Sequence, residues 1–200
     1  MKMNLSKKFI FLGLISILII TSLTMFSFAS EEKDYINLAL KLIEEEKYNE
    51  AVGELEEALT IARSKAEIQL VNLFFCKEHP QMFGIYNPRE NTEFSQNDIL
   101  YIYGEPKNYT YKEIQNGLYQ IHFKAEIYLL DSSDNVLTGD INFLDFPLTS
   151  RAKNSEIFIS SEIPVNNLGL SPGNYKFRFI LKDALSQKTT EATTEFTIVE

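Results

Sequence analysis

Cys76 and His79 are the two side chains whose types and spacing come nearest to catalytic chemistry. The chain has one cysteine and two histidines, and this pair lies three residues apart, which on a helix puts both side chains on one face. A thiolate–imidazole pair, or half of a metal site, is built from such residues. The residues before Cys76 are strongly apolar, and a free cysteine in such surroundings behaves as a small hydrophobic side chain. We therefore expect a structural role for both residues.

Two other polar groups have simple interpretations. The aspartates between Asp131 and Asp140 could offer oxygen ligands to calcium, but the Asp-Ser-Ser-Asp-Asn sequence that begins there is also typical of a hairpin loop. His122 lies on the polar side of a predicted strand with no evident nucleophile. The sequence has no phosphate-binding loop, nucleophile elbow or His-Glu-x-x-His motif. We predict no enzyme activity, no metal and no cofactor.

Four tyrosines form the one cluster that could bind a ligand: Tyr101, Tyr103, Tyr109 and Tyr111. Sugars stack on exposed aromatic rings, so this cluster supports a carbohydrate- or small-ligand-binding module as the alternative function. Tyrosine is also favoured in strands. Because Tyr101 and Tyr103 are two residues apart, they share one face of a strand, and that face could belong to the core.

The first 29 residues indicate where these groups work. Lys2, Lys7 and Lys8 precede an uncharged apolar run, and Ser27-Phe28-Ala29 places small residues three apart. This order predicts a secretory signal peptide that is cleaved after Ala29. An uncleaved anchor is the alternative, because residues 9–28 are about long enough to span a bilayer. In both cases residues 30–200 are expected outside the cytoplasm, either secreted, periplasmic or in the cell envelope.

Charge narrows the choice of partners. The 200 residues carry a net charge of −9, so the chain is expected to be repelled by phosphate backbones and by anionic membrane surfaces. Nucleic acid is therefore not an expected partner, and contact with a membrane is expected only through residues 9–28 if they are not removed. A single cysteine also excludes an intramolecular disulfide.

Residues 30–80 are predicted to be helical. Apolar residues recur at the i, i+3, i+4, i+7 spacing in two stretches that Lys47-Tyr48-Asn49 separates. A third helix is predicted to begin at Ser64, which forms a capping-box pattern with Glu67, and to end at Pro80. The first two apolar stripes consist of Tyr35, Leu38, Ala39, Leu42 and Ile43, and of Ala51, Leu55, Ala58, Leu59 and Ala62.

The spacing of these positions resembles a single tetratricopeptide repeat. The resemblance implies that small residues let the two helices approach closely and that a tyrosine packs at the turn. Hairpins of this kind need neighbours to complete their core, so we expect the hairpin to dock on another part of the chain or on another protein. The candidate partner face is acidic: Glu44, Glu45, Glu54 and Glu57. The matching positions are Tyr35, Leu38, Ala39, Leu42, Tyr48, Ala51, Leu55 and Ala58.

The period of the apolar residues becomes two in the second half of the chain. Residues 121–129 and 175–181 alternate between apolar and mostly polar side chains, which predicts strands with one face in the core. The segments 170–175, 182–183 and 194–198 resemble the last two strands of bacterial immunoglobulin-like modules. The wider run from Phe94 to the end is similar to uncharacterised exported bacterial proteins with such a domain. The resemblance implies an antiparallel sandwich and no catalytic residues.

Together these patterns predict an α+β chain. It comprises a signal helix (1–29), a tetratricopeptide-like region with a helical hairpin and a third helix (30–80), and an antiparallel immunoglobulin-like β-sandwich (81–200). The predicted function is that of an exported, non-catalytic interaction or scaffold protein whose partner is another protein of the envelope, with a glycan as the alternative ligand.

Overall fold

The computed structural model describes residues 30–153 and 155–200. The predicted signal peptide or anchor, residues 1–29, lies outside the described residues. The chain divides into two compact units, of which the first ends at Ile61 and the second spans Ala62–Glu200. Within the described ranges, no helix combines the length and the apolar character that a membrane crossing needs.

Two helices follow each other at the start of the described chain. Helix α1 spans Glu31–Glu44 and helix α2 spans Tyr48–Lys65. Three acidic residues lie in the first turn of α1, next to the positive end of its dipole. Ser30 precedes α1 with extended backbone as a capping residue does, but its hydroxyl makes no capping hydrogen bond.

The connection between the helices is a Schellman turn. The Lys47 N–H donates to the Leu42 carbonyl at 2.8 Å, and the Glu46 N–H donates to the Ile43 carbonyl at 3.0 Å. Glu46 occupies the left-handed position of this turn, with φ 58°. Glycine is the usual residue there, because a Cβ atom is strained at positive φ.

The third helix predicted from Ser64 to Pro80 is wrong. Ser64 lies in the last turn of α2, and Gln69–Cys76 forms strand β1, which pairs antiparallel with β3 (Ile99–Lys107). The pairing shifts register around Asn72, whose φ is 52°. A segment that is apolar on all sides can form a buried helix or a strand covered on both faces. Here the backbone hydrogen bonds with β3 stabilise the strand.

In the described part of the second unit, nine strands and one short 3-10 helix follow the end of α2. They form a three-stranded sheet in the order β1-β3-β7 and a six-stranded sheet in the order β2-β9-β8-β5-β4, in which β6 also pairs with β5. The remaining strands are β2 Glu93–Phe94, β4 Lys112–Gln115, β5 Leu118–Asp131, β6 Val136–Ser150, β7 Ile159–Pro164, β8 Gly173–Asp183 and β9 Thr189–Ile198, and the 3-10 helix is Val165–Leu168.

The expected immunoglobulin-like sandwich is also wrong. The structure has a curled, half-barrel arrangement rich in strands, and β2 runs parallel to β9. Strand β5 is 14 residues long and pairs with β4, β6 and β8. The pairing of β5 with β6 shifts register twice, and such bulges bend a strand and increase its twist. Curvature of this origin leaves no signal in the alternation of side chains.

The alternation itself is confirmed. In β5 every second residue from Ile121 to Leu129 is buried, and the same holds for Phe177, Phe179 and Leu181 in β8. Phenylalanine rings fill much of the space behind these strands: the rings of Phe177 and Phe196 stack with centroids 4.9 Å apart. This core holds the strands and the loop that carry the four tyrosines of the predicted ligand cluster.

Candidate functional site

The outer face of helix α2 is apolar and exposed. Four large side chains on this face are exposed: Tyr48 (59%), Val52 (53%), Leu55 (43%) and Leu59 (48%). Their spacing of i, i+4, i+7 and i+11 puts them on one side of the helix, and we call this set the α2 stripe. The sequence predicted that Leu55 and Leu59 would pack together with the alanines. Instead the buried residues of α2 are Ala51 and Ala58.

Helix α1 carries a second exposed stripe. Ile36, Leu40 and Ile43 recur at i, i+4 and i+7 and are 41%, 55% and 39% exposed. We call this set the α1 stripe. The one buried residue of helix α1 is Ala39, which lies outside this set and belongs to the stripe that the sequence predicted. Exposed apolar residues at helical spacing on two consecutive helices are a feature of protein-binding surfaces.

The four glutamates of the predicted partner face differ in exposure. Glu44 and Glu45 are exposed at the end of α1, whereas Glu54 and Glu57 are partly buried in α2. Lys47 donates a hydrogen bond of 2.7 Å to Glu45, and this bond lowers the pKa of the Glu45 carboxyl group. The surroundings of both stripes are strongly acidic, because ten acidic and three basic residues lie between Glu31 and Thr60.

The structure divides the predicted tyrosine cluster into two pairs. Tyr101 and Tyr103 lie on β3, where Tyr103 is fully buried and Tyr101 is partly buried. The Tyr103 hydroxyl donates to Glu105 at 3.0 Å and accepts from the Gly84 N–H at 3.1 Å. Burial raises the pKa of Tyr103 to about 12. This pair therefore serves the packing of the small sheet, and Tyr103 offers no ring face to a ligand.

Tyr109 and Tyr111 form the second pair, between β3 and β4. Their ring centroids are 5.4 Å apart and their hydroxyl oxygens 3.5 Å apart. Tyr109 is buried and meets the edge of Phe123 at 5.1 Å, and Tyr111 is partly buried. The buried carboxylate of Asp183 accepts a hydrogen bond from the N–H of Thr110 at 2.9 Å, so the last residue of β8 holds the backbone between the two rings.

A small crevice opens beside this second pair. Its volume is about 10 Å³, and its walls are Arg63, Lys107, Asn108, Tyr109, Tyr111 and Ser155. We call it the tyrosine crevice. Sequence reasoning found the two tyrosines but missed Arg63, because only the tertiary fold brings position 63 close to position 109. Helical periodicity predicts only that this arginine lies near the end of the second helix.

The side chains that suggested catalysis do not assemble into a site. Cys76 is fully buried at the end of β1, where burial raises the pKa of its thiol group. His79 lies in the loop that follows, is exposed, and has its Nδ1 atom 2.9 Å from the Pro80 carbonyl. His122 bonds to Asp145 at 2.6 Å. In residues 30–153 and 155–200, no group of three or more histidine, cysteine or acidic side chains is placed to hold a metal ion.

The aspartate loop between β5 and β6 is closed on itself. Asp131 accepts hydrogen bonds from the backbone N–H groups of Ser133 and Asn135 at 2.8 and 2.9 Å and from the Asn135 amide at 2.9 Å. Asp134 pairs with Lys176 at 2.8 Å. These bonds are those of a hairpin turn, and they engage the oxygens that a calcium ion would need.

Comparison with known proteins shows no family. No protein-family model and no curated protein matches the sequence. Among solved structures, a match is the Pseudomonas fluorescens alkylpurine DNA glycosylase AlkC bound to DNA containing an abasic site analog. It has a TM-score of 0.37 and 10% sequence identity, and the match covers 86% of this chain. The chain spans 43% of that glycosylase chain, and a likeness at this level supports no conclusion about function.

Proposed function

We propose that this chain is an exported, non-catalytic scaffold or adaptor protein that binds another protein through helices α1 and α2. The observation that carries the proposal is the exposure of the α1 and α2 stripes. Burying an aliphatic side chain contributes about 1.5–3 kcal/mol, and the seven stripe residues stay 39–59% exposed. A partner that covered them would supply this missing burial, as the resemblance to a tetratricopeptide hairpin implies.

The partner is expected to present an apolar helix with basic flanks. An amphipathic helix laid along another helix matches residues at i, i+4 and i+7. Ten acidic residues against three basic ones between Glu31 and Thr60 favour lysine and arginine around such a helix and disfavour an acidic partner. Export is inferred from the sequence of residues 1–29, and the binding surface would then work in the envelope or outside the cell.

The carbohydrate-binding alternative receives less support than the adaptor. A saccharide platform needs exposed ring faces, and Tyr103 and Tyr109 are buried. An enzyme built on Cys76 receives still less support, since Cys76 is fully buried and its thiol group is out of reach of a substrate.

Site-specific photo-crosslinking in intact cells tests the proposal. A photoreactive residue at Leu55 is expected to trap one specific protein, whereas the same residue at Ile141, an exposed apolar position on β6, is the matched control. Leu59→Glu should abolish the adduct formed at Leu55. Absence of any adduct at Leu55, or the same adducts from Leu55 and Ile141, would refute the adaptor. An adduct with a second copy of the chain would instead identify self-association.

A further inference from the structure

We propose that two copies of this chain associate through the free edge of β6, with residues 136–140 of one copy pairing antiparallel with the same residues of the other. This surface lies wholly within the second unit. It shares no residue with the α1 and α2 stripes, so this association and the adaptor function are independent of each other.

Strand β6 lies at the edge of its sheet. It is 15 residues long and pairs with β5, which pairs with β8 on its other side. Among residues 30–153 and 155–200, neither a strand nor a loop forms backbone hydrogen bonds with the outer side of β6. Such an edge presents backbone N–H and C=O groups that another strand can pair with, which extends the sheet.

The two halves of this edge differ. Pro147 lies in the second half, where it has no N–H group to donate, and a proline on an edge strand hinders further pairing. Residues 136–142 include no proline and no lysine, and all of them are exposed. This first half is therefore open to another strand. Its large apolar side chains are Val136 (51% exposed), Leu137 (49%) and Ile141 (67%).

The residues of the first half suit pairing with a second copy. Antiparallel pairing centred on Thr138 obeys the symmetry of a twofold axis. It puts Val136 of one copy opposite Asp140 of the other, and Leu137 opposite Gly139. Pairing centred on Asp140 would put two carboxylates directly opposite each other, which is unfavourable. Pairing centred on Gly139 would oppose two residues that have no side chains to pack.

Gly139 gives the Thr138 register an apolar contact. Tyr128 pairs with Gly139, and its ring lies so close that a Cβ atom on Gly139 would be 2.5 Å from it. Directly paired residues point to the same face of a sheet. Leu137 of the second copy would therefore lie on the face that carries the Tyr128 ring, with only the glycine between them. The twofold axis provides this contact twice.

The acidity of the chain permits this pairing. In the Thr138 register the two Asp140 residues are four positions apart along the strands, which is about 14 Å. This separation exceeds the screening length of about 8 Å at physiological salt. Asp134, which precedes β6, is already paired with Lys176 at 2.8 Å. Because residues 136–140 form a small contact, we expect a weak and reversible dimer.

A disulfide trap in the full chain tests this dimer. Cys76 is the only native cysteine and is fully buried, so a cysteine added to β6 is the reactive thiol. Thr138→Cys should give a disulfide-linked dimer under mild oxidation, because the two Thr138 residues face each other across the axis at a Cβ separation that a disulfide can span. Thr149→Cys, an exposed threonine of the same strand beyond Pro147, is the matched control. It should give at most about a tenth of that dimer.

Leu137→Glu removes the apolar contact and adds a carboxylate near Asp140 of the second copy. Sedimentation equilibrium of the purified protein should show association weakened about tenfold, whereas Ile114→Glu, at an exposed position on β4, should associate as the wild type does. A photoreactive residue at Ile141 should trap only a second copy, so it still serves as the control for Leu55.

Three results would overturn the proposal. The first is an equal yield of dimer from Thr138→Cys and Thr149→Cys. The second is unchanged association in Leu137→Glu. The third is a mixed disulfide of Thr138→Cys with another protein in place of the dimer, which would show that the edge of β6 accepts a different partner.

Discussion

The ammonium group of Lys188 donates a hydrogen bond of 2.6 Å to the backbone carbonyl of Ala66 and another to that of Ser64. Lys188 lies just before β9, and 122 positions separate it from Ala66. The last carbonyls of a helix have no partner within the helix, and a cation is favoured at that negative end. Residues 62–66 belong to the second unit, so Lys188 holds this last part of α2 within that unit, next to Arg63.

Lys188→Met should therefore loosen the end of α2. We expect the free energy of unfolding of the second unit to fall by about 1 kcal/mol, which is the usual contribution of a hydrogen bond. Urea unfolding measures the loss, and amide hydrogen exchange at residues 62–66 should accelerate. Lys182→Met, which removes an ammonium group from β8, is the control. Equal exchange rates at residues 62–66 in the wild type and in Lys188→Met would show that the bonds do not hold the helix.

The Schellman turn predicts a stabilising substitution. Glu46 has φ 58°, and replacement of a residue in this conformation by glycine removes the strain of its Cβ atom. Glu46→Gly should stabilise the hairpin by about 1 kcal/mol. Glu44→Gly, two residues earlier in helical backbone, should destabilise it by a similar amount. Amide exchange in the last turn of α1 reports both changes, and a loss of protection in Glu46→Gly would contradict the assignment of the turn.

Two glycines predict opposite responses to alanine. Gly139 on β6 pairs with Tyr128 on β5, and a Cβ atom added to Gly139 would lie 2.5 Å from the Tyr128 ring. The ring is held by Glu126 and by the Arg178 guanidinium group, which lies 5.2 Å from its centre. Gly139→Ala should therefore cost about 1–3 kcal/mol, as overpacking does.

Gly53 in α2 is the matched counterpart. An added Cβ atom meets nothing within 4 Å, and alanine is favoured over glycine inside a helix by about 1 kcal/mol. Gly53→Ala should stabilise the hairpin. Thermal unfolding of the two variants side by side measures the difference in sign. An unchanged melting temperature in Gly139→Ala would contradict the prediction, because it would show that the Tyr128 ring moves aside despite its contacts with Glu126 and Arg178.

The sequence predicts single strands better than it predicts how they assemble. Alternation of apolar and polar residues locates β5 and β8, because one side of each strand faces the core. The same pattern does not identify β1, because residues 68–76 are apolar on both faces and suit a helix as well as a strand. The curl of the sheets depends on bulges between β5 and β6, and neither bulge has a residue pattern of its own.

The candidate site was predicted only in part for a related reason. Periodicity identifies which residues share a helix face, but it does not say which face is covered. In α2, Ala51 and Ala58 are buried, whereas Leu55 and Leu59 are exposed, since small residues let a helix approach its neighbours closely. Arg63 and Tyr111 come together only through the tertiary fold, so no local pattern connects them.

Alkaline pH should weaken the fold through its buried tyrosines. Burial raises the pKa of Tyr103 to about 12, above the value near 10 of an unfolded chain. The stabilisation from the protonated Tyr103 is therefore complete below pH 10 and is lost as the pH rises from about 10 towards 12. We expect the melting temperature to fall across this range. Absorbance at 295 nm should show a group of tyrosines that ionises late in the native protein and near pH 10 in urea.

Tyr103→Phe separates this effect from general alkaline damage. The variant loses the bonds to Glu105 and from Gly84, so it should be less stable than the wild type at pH 7. Its stability should nevertheless decline less steeply between pH 10 and 12, because one late-ionising phenol is gone. Tyr48→Phe, at an exposed position, should leave the slope unchanged. The prediction is wrong if stability declines equally steeply with pH in the wild type and in Tyr103→Phe. Ionisation of the Tyr103 phenol would then not destabilise the fold.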